Sequence, residues 1–283
     1  MTESGQLNIK FPWGFTSILA PIVLQAIFRK KGGFLYRKVV AFILMAVAAF
    51  WGIIAGVALP LVGRAHLINW TVGKVEAFLN KTFLAVTATV EGTENLPKDG
   101  QTAIFVCNHQ TVMDIMFMGN IFPKRAAVVA KKTIKWVPIL GWFMILSNTI
   151  FLDRGNRDSA IKQAKQAAVD IHKKKTGVWI FPEGTRSNSS KNELLPFKKG
   201  AFYMATQAKV PIIPIVIQNY KDIYNAKQKH FGHGNITIKI LPPIDTTDIP
   251  ENSESVEKLT TDVRNQMLAT LKEISQDQQD KSE

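Results

Sequence analysis

The longest uncharged run in the chain is the feature that most restricts its fold. Residues 39–63, VVAFILMAVAAFWGIIAGVALPLVG, hold no charged side chain over 25 positions. A helix needs about 20 apolar residues to cross the hydrocarbon core of a bilayer, so this run is long enough. The alternative is a buried helix of a soluble core, but such helices normally keep a polar face, and this run has none. The sequence therefore predicts an integral or firmly anchored membrane protein.

A second uncharged stretch covers residues 11–28 and contains two prolines and a glycine. Because it is shorter and interrupted, an interfacial or re-entrant segment and a membrane span both remain open. Residues 29–38, between the two runs, hold five basic and no acidic side chains, which favours the cytosolic side or anionic lipids. A single span at 39–63 would place the rest of the chain opposite these basic residues. A hairpin within one leaflet would place both on the same side.

Charge is unevenly distributed along the 283 residues, which include 35 Lys and Arg against 22 Asp and Glu. Residues 98–210 hold 18 basic and 7 acidic side chains, whereas residues 245–283 hold 4 basic and 10 acidic ones. A basic body of this kind suits an anionic membrane surface, phosphorylated substrates or nucleic acid. The single cysteine, Cys107, excludes an intramolecular disulfide framework and a cysteine-based zinc site.

Residues 64–274 are predicted to form one α/β domain after an N-terminal membrane segment, residues 1–63, and before a disordered polar tail, residues 275–283. Seven short apolar or β-branched segments bounded by Gly, Pro or Asn are strand candidates. They cover residues 83–90, 102–107, 126–130, 149–152, 178–181, 212–217 and 236–241. Apolar spacing predicts a helix between the fourth and fifth strands and a last helix over 253–274. Strands that alternate with helices favour a mostly parallel sheet flanked by helices.

Several common enzyme motifs are absent from the sequence: no glycine-rich nucleotide-binding motif, no G-x-S-x-G elbow and no histidine pair with metal-ligand spacing. Instead, the second strand candidate runs directly into N-H-Q-T-V-M-D at residues 108–114. Five helical residues turn through about 500°, so His109 and Asp114 meet only if His109 lies in the strand-to-helix turn and Asp114 in the first helical turn. The carboxylate would then fix the imidazole tautomer and leave a base. Alone, the pattern also fits a structural histidine in a loop.

Three further blocks lie at or beside strand candidates. F-P-E-G-T-R at 181–186 stands at the edge where parallel sheets place ligands. Its Gly184 permits close backbone approach, and Arg186 can bind a phosphate with two parallel hydrogen bonds. F-L-D-R at 151–154 brings Arg154 to another strand end, and V-P-I-I-P-I-V at 210–216 fits the core of the sheet. The blocks therefore predict a site for an anionic ligand at one sheet edge.

In this order and spacing, the four blocks resemble the glycerolipid acyltransferase family, and specifically the 1-acyl-sn-glycerol-3-phosphate acyltransferases of the fungal endoplasmic-reticulum type. The resemblance spans about residues 35 to 272 and includes K-K-x-x-K-x-x-P-x-x-G-W-F at 131–143 and L-P-F-K-K-G-A-F at 195–202. Residues 11–28 lie outside it.

The resemblance implies acyl transfer from acyl-CoA to the sn-2 hydroxyl of lysophosphatidate, giving phosphatidate and CoA in phospholipid and triacylglycerol synthesis. It makes His109 the base and Asp114 the residue that orients it. It implies no metal and no cofactor besides acyl-CoA as co-substrate, membrane lipids but no nucleic acid as partners, and location in the endoplasmic-reticulum membrane or also on lipid droplets. The alternatives are another acceptor, such as glycerol 3-phosphate or a different lysophospholipid, and a non-catalytic membrane-tethered binder of anionic lipid or nucleic acid.

The other substrate-binding residues follow from the same blocks. Arg186 and Arg154 are expected to hold the acceptor's phosphate. Gly184 and Thr185 complete the set, since backbone N–H groups beside Gly184 can face the developing oxyanion. Glu183 is expected either to hold the glycerol hydroxyl or to lock Arg186 in place.

Three features outside the blocks carry weaker expectations. Residues 136–146 lack charge over 11 positions, too few to span a bilayer, so they form either core or a membrane-dipping wall of an acyl tunnel. Lys198 and Lys199 fit either a phosphate contact or an exposed helix face. Cys107 is expected to be a small apolar residue at a strand end, so transfer is direct, without an acyl-enzyme.

Overall fold

The structure is a computed structural model that describes residues 29, 31–98, 100–152, 166 and 168–276. Its helices are α1 (Phe34–Leu61), α2 (Ile68–Leu84), α3 (Asp114–Ile121), α4 (Leu140–Leu146), α5 (Gly200–Ala208) and α6 (Ser253–Gln276). Its strands are β1 (Val86–Glu91), β2 (Ile104–Cys107), β3 (Ala126–Lys131), β4 (Ile150–Leu152), β5 (Gly177–Ile180), β6 (Ile212–Ile217), β7 (Tyr224–Asn225), β8 (His230–Phe231) and β9 (Gly234–Ile240).

Seven of these strands form one sheet in the order β1-β9-β6-β2-β5-β3-β4. All neighbours in it are parallel except β6 and β9. Strands β7 and β8 form a separate antiparallel pair. The predicted mostly parallel sheet flanked by helices is therefore confirmed.

The middle strands β2, β5 and β6 are buried at every position, which explains why IFVC, GVWI and IIPIVI are almost uniformly apolar. Helices α1, α2 and α3 cover the sheet face that carries Phe105 and Trp179, whereas α5 and α6 cover the face that carries Ile104 and Val178. Because β2 and β5 are parallel neighbours, their carboxyl ends deliver the loops at 108–114 and 181–186 to the same edge.

Among the described residues, α1 is the helix long and apolar enough to cross a membrane. One side of it packs on the rest of the chain. Near its start the buried Arg37 guanidinium donates to the carbonyls of Leu84 at 2.6 Å and Gly232 at 2.5 Å. In its second half, a Cβ added to Gly52 would lie 2.3 Å from the Phe143 ring of α4, and one added to Gly56 would lie 2.7 Å from Cβ of Leu146. The opposite side exposes large apolar side chains along the whole helix: Leu35, Val39, Phe42, Ile43, Val47, Phe50, Ile54, Val57 and Leu61.

Two predicted boundaries are wrong. The strand predicted from residue 83 begins at Val86, because Phe83 and Leu84 complete helix α2 and Ala85 caps it in the left-handed conformation at φ 50°. The apolar pair suits a helix packed on the sheet as well as a strand. The last helix runs to Gln276, and the buried Ser275 hydroxyl accepts the Asn219 N–H at 3.2 Å, so the polar tail does not start at 275.

Some predictions fall wholly or partly outside the described residues. These are the stretch at 11–28, the first part of the helix before β5, and the tail after residue 276; residues 168–174 of that helix are helical. The division of the chain at residue 63 stays a prediction. Helix α2 and the β7–β8 pair were not predicted at all.

Candidate active site

The predicted contact between His109 and Asp114 is present at the carboxyl end of β2. His109 lies in the turn after the strand, and Asp114 is the first residue of α3. Nδ1 of the imidazole lies 2.6 Å from Oδ2 of the carboxylate, and the Phe181 ring stacks on the imidazole at 4.1 Å between centroids. Since an ionised carboxylate only accepts hydrogen bonds, Nδ1–H donates, and Nε2 is the nitrogen that can take a proton.

Both oxygens of the fully buried Asp114 carboxylate are occupied by donors. Oδ2 also accepts the backbone N–H groups of Gln110 at 2.7 Å and Thr111 at 3.0 Å. Oδ1 accepts the hydroxyl of Tyr220 at 2.5 Å, and that hydroxyl lies 2.8 Å from the Thr111 hydroxyl. Burial, then the charge of Asp114, raises the pKa of Tyr220 well above its usual value, so Tyr220 remains a donor. The network holds the carboxylate in one orientation toward His109.

The residues on either side of His109 anchor its turn to strand β6. The buried Asn108 amide donates to the Ile217 carbonyl at 2.9 Å and accepts the Ile217 N–H at 2.7 Å. The Gln110 amide donates to the carbonyls of Ile217 and Gln218 at 3.0 and 2.9 Å. Asn and Gln in this motif therefore position the turn, and His109 between them faces the cavity described below.

The structure gives Glu183 a place that the sequence did not predict. One carboxylate oxygen accepts the His109 N–H at 2.7 Å, and the other accepts the Leu195 N–H at 3.0 Å. Glu183 is 3% exposed, and burial is the main cause that raises its pKa, offset in part by these two bonds. Its oxygens are thus bound to backbone, and no hydrogen bond or ion pair joins it to Arg186 among the described residues, so the predicted lock on Arg186 is absent; contact with the glycerol hydroxyl stays a prediction. Glu183 joins the loop at 181–186 to the turn that carries His109.

The Gly184 N–H donates to the Phe181 carbonyl at 3.0 Å and is thus engaged within the loop. The oxyanion contact expected of N–H groups in this loop stays a prediction. The φ of Gly184, +69°, favours glycine, and an added Cβ would lie 2.7 Å from Cε of Lys198. Gly184 therefore makes room for the Lys198 side chain beside the loop.

Arg186, Thr185 and Lys198 all line the cavity beside His109. Among the described residues, neither Arg186 nor Lys198 forms an ion pair, whereas Lys199 pairs with Glu257 at 2.9 Å. The two adjacent lysines thus differ: Lys198 contributes charge to the cavity, and Lys199 braces α5 against α6. The predicted partner Arg154 lies outside the described residues, so its role stays a prediction.

The cavity has a volume of about 790 Å³, within the range of small-molecule sites. Its polar end holds His109, Arg186 and Lys198. The rest of its wall is largely apolar and comes from α1 to α5 and β3; it includes Met45, Ala48, Ala49, Val72, Gly73, Ile115, Met118, Val128, Leu140, Phe143, Met144 and Met204. No group of three His, Cys, Asp or Glu side chains in the described part of the chain is arranged to hold a metal.

The uncharged segment at 136–146 has two different sides. Leu140, Phe143 and Met144 line the cavity. Trp136 and Trp142 point outward and are 82% and 57% exposed. The segment therefore forms a cavity wall on its inner side and an apolar surface on its outer side.

Cys107 is fully buried at the end of β2. Burial, followed by the charges of Asp114 and Glu183, raises the pKa of its thiol well above the usual value. A thiolate, the nucleophilic form, is therefore disfavoured there. This supports the expectation that Cys107 is a small core residue.

Sequence reasoning missed Tyr220 and the cavity residue Glu76. Tyr220 follows the apolar strand β6 within Q-N-Y at 218–220, and polar residues directly after a buried parallel strand are a usable signal. Glu76 had no comparable signal, because helix α2 itself was not predicted.

Comparisons with known proteins agree with this geometry. A family model described as Acyltransferase matches residues 87–218. The chain is 41% identical to the 1-acyl-sn-glycerol-3-phosphate acyltransferase of Saccharomyces cerevisiae over 86% of this chain and 80% of the relative. It is 35% identical to the human 1-acyl-sn-glycerol-3-phosphate acyltransferase alpha over 70% of this chain and 68% of the relative. The crystal structure of the 1-acyl-sn-glycerophosphate (LPA) acyltransferase PlsC from Thermotoga maritima aligns with a TM-score of 0.66 at 25% identity, covering 84% of this chain and 94% of that one.

Proposed function

Because the chain belongs to the 1-acyl-sn-glycerol-3-phosphate acyltransferase family, we propose that it transfers an acyl group to the sn-2 hydroxyl of lysophosphatidate, giving phosphatidate. The observation that carries this function is the His109–Asp114 pair at the polar end of a largely apolar cavity. A base is needed because the attacking group is a neutral hydroxyl. Cations suit the phosphate of the acceptor, and apolar walls suit its hydrocarbon chain.

The donor in this proposal is acyl-CoA, used as a co-substrate with no further cofactor. Nε2 of His109 takes the proton of the sn-2 hydroxyl as the oxygen attacks the thioester carbonyl. The C–S bond then breaks, and the imidazolium gives its proton to the departing CoA thiolate, which restores the neutral base. Asp114 keeps Nδ1–H in place and stabilises the transient positive charge on the ring. Transfer is direct, in keeping with the buried Cys107 thiol.

The phosphate of the acceptor binds at Arg186 and Lys198 in this proposal. Both cations line the cavity beside His109, and neither is neutralised by a carboxylate among the described residues. Arg186 offers a planar pair of donors, and Lys198 offers a point charge held beside Gly184. A hydrocarbon chain then lies along the apolar wall between α1, α2, α3 and α4.

Association with a membrane follows from the exposed apolar side of α1 and from the outer side of the segment at 136–146. Exposed Trp136 and Trp142 beside Lys132 and Lys135 fit a membrane interface, where indole rings sit among lipid headgroups. The membrane proposed is the endoplasmic reticulum, on the cytosolic side where acyl-CoA is available.

Helix α1 lies along one leaflet in this proposal, with the basic residues of 29–38 on the same side as the active site. Arg29 donates to the Lys81 carbonyl at 2.6 Å, and Arg37 binds the Leu84 and Gly232 carbonyls, so both contact the acyltransferase domain directly. A helix that packs on one domain from Arg37 to Gly56 does not separate the basic residues from the active site across a bilayer. In sealed microsomes, a membrane-impermeant maleimide should label Lys38→Cys and Arg64→Cys, each in a Cys107→Ala background, from the same side.

The function is tested with the full chain purified in detergent and radiolabelled oleoyl-CoA. Lysophosphatidate should give labelled phosphatidate, whereas glycerol 3-phosphate and lysophospholipids with larger headgroups should give little product. Faster transfer to one of those acceptors would reassign the substrate, and no transfer to any acceptor would leave a lipid binder.

A further inference from the structure

The side chain of Glu76 places a carboxyl group in the wall of the cavity, and Glu76 lies outside the catalytic motifs in the sequence. It lies on α2, on the side that also presents Asn69, Val72 and Gly73 to the cavity, at the i, i+3, i+4 and i+7 positions of a helix. Its side chain is 3% exposed. The cavity residues across from α2 on α1 and α3 are apolar or glycine: Met45, Ala48, Ala49, Ile115, Met118 and Gly119.

The carboxyl of Glu76 is only half satisfied. One oxygen accepts the Asn80 amide at 3.0 Å, and the other has no hydrogen-bond partner among the described residues. A buried polar atom without a partner is costly, and such atoms are uncommon in native proteins. Burial is the main cause that raises the pKa of Glu76 to about 7, and the bond from Asn80 offsets part of the rise.

Among the described residues, no charged group on the elements around Glu76 hydrogen-bonds its carboxyl. On α1, Arg37 binds two backbone carbonyls, and on α3, Asp114 belongs to the catalytic pair. On α2 itself, Lys74 donates to the Asn120 carbonyl at 3.1 Å. The remaining charged or titratable groups on α1, α2, β1, β3 and the turn before α2 are Tyr36, Lys38, Arg64, His66, Lys81, Glu91 and Lys131. The cavity itself is also lined by His109, Lys131, Arg186 and Lys198. Among the described residues, none of these side chains hydrogen-bonds the Glu76 carboxyl.

We propose that Glu76 determines chain specificity: a long hydrocarbon chain lies against it only while its carboxyl group is protonated. This inference rests on the proposed placement of a chain in the cavity. A chain at this point covers the unpartnered oxygen and removes any water that reaches it. A neutral acid tolerates that contact, whereas a carboxylate loses its remaining solvation without gaining a partner. Ionisation of Glu76 and occupation by a long chain therefore exclude each other.

The direction of the pH effect follows from the ionisation of Glu76, since a carboxylic acid is neutral below its pKa and charged above it. Below about pH 7 Glu76 is neutral, and the preference for long over short chains does not change with pH. Above it, a growing fraction is ionised, and the fall in kcat/KM for long chains approaches about tenfold per pH unit. A chain too short to reach Glu76 is unaffected. The ratio of long-chain to short-chain kcat/KM should therefore decline as pH rises.

The test measures that ratio for the full chain in detergent from about pH 6 to about pH 8.5. In one arm the donor varies from octanoyl-CoA to oleoyl-CoA with one lysophosphatidate; in the other, the 1-acyl chain of the acceptor varies with one donor. All substrates in an arm have the same headgroup and react at the same His109. The titrations of the headgroup and of the catalytic site therefore cancel in the ratio. The arm that shows the decline identifies whether the donor or the acceptor chain occupies the cavity.

Glu76→Gln keeps the size and the amide contact but cannot ionise, so its ratio should stay constant with pH. Glu91→Gln makes the same chemical change on the exposed end of β1 and should keep the wild-type decline. A wild-type ratio that is constant in both arms, or an equal decline in Glu76→Gln, would overturn the proposal. If Glu76→Gln does not fold, a wild-type ratio that stays constant with pH in both arms would still overturn the proposal. Failure of the proposed function is a different result: no transfer to lysophosphatidate with any chain at any pH.

Discussion

The Asp114 and Glu76 carboxyl groups are both buried, one beside the cavity and one in its wall, but their surroundings are opposite. Asp114 accepts four hydrogen bonds, from His109, Gln110, Thr111 and Tyr220. Glu76 accepts one, from Asn80. Donors on both oxygens hold the Asp114 carboxylate in one orientation, whereas the largely apolar site with one donor favours the neutral form of Glu76.

The different surroundings of the two carboxyl groups indicate different roles for the two ends of the cavity. At the polar end, backbone groups from two loops and β6 hold the catalytic side chains, so the geometry exists before substrate arrives. At the apolar end, the cavity side chains from helices α1, α2 and α3 are apolar apart from Asn69 and Glu76. Changes at the polar end should lower kcat, or binding of the headgroup, while changes at the apolar end should alter which chains are accepted.

The largest effect is expected from the base. His109→Ala should lower turnover by about 10²- to 10⁴-fold, because the hydroxyl loses the group that takes its proton. Asp114→Asn should also be severe, since an amide can hold the wrong tautomer of the imidazole. Initial rates with oleoyl-CoA and lysophosphatidate measure both, and circular dichroism checks the fold. A His109→Ala protein with more than about a tenth of the wild-type rate would contradict general-base catalysis by His109.

Arg186→Ala should raise KM for lysophosphatidate by about 10- to 100-fold and leave KM for acyl-CoA nearly unchanged, because the lost contact is a charged hydrogen bond to the phosphate. Arg186→Lys should restore part of the affinity, since a point charge does not reproduce a bidentate contact. Lys199→Ala removes a positive charge from the neighbouring surface, where it pairs with Glu257, and is the matched control. An effect confined to KM for acyl-CoA would assign Arg186 to the CoA site.

Tyr220→Phe should lower kcat by about tenfold without changing either KM, because Asp114 loses its one donor on Oδ1 while substrate contacts remain. Tyr220 is thus a positioning residue, and the split between kcat and KM separates this role from general loss of fold. Tyr203→Phe removes a hydroxyl from a partly buried tyrosine that packs against the other face of the sheet and should match wild type. Equal losses in the two variants would refute the positioning role.

The smallest effect is expected at Cys107. Cys107→Ala should keep most of the activity and cost about 1 kcal/mol of stability, the scale of a small core truncation. Initial-rate plots should intersect, as expected when both substrates bind before transfer. Parallel lines, together with a labelled thioester that disappears in Cys107→Ala, would instead establish an acyl-enzyme.

The polar end of the cavity could be predicted because its residues are local in sequence. N-H-Q-T-V-M-D and F-P-E-G-T-R each follow a buried strand, and parallel strands bring such ends together. The pairing of His109 with Asp114 followed from five residues at a strand-to-helix turn. Even there, the bonds of Glu183 to two backbone N–H groups were not predictable, because Leu195 is a loop residue whose position depends on tertiary packing.

By itself, then, the sequence determined the parallel sheet, the membrane-associated apolar run and the catalytic pair, since each depends on periodicity, on composition or on neighbours a few residues apart. Only the tertiary structure decided that α1 packs on the domain through Arg37 and Gly52, that Tyr220 completes the environment of Asp114, and that Glu76 enters the cavity. The hydrogen bonds among these contacts join residues from 47 to 195 positions apart. Their partners are chosen by how helices and strands pack, which no local pattern encodes.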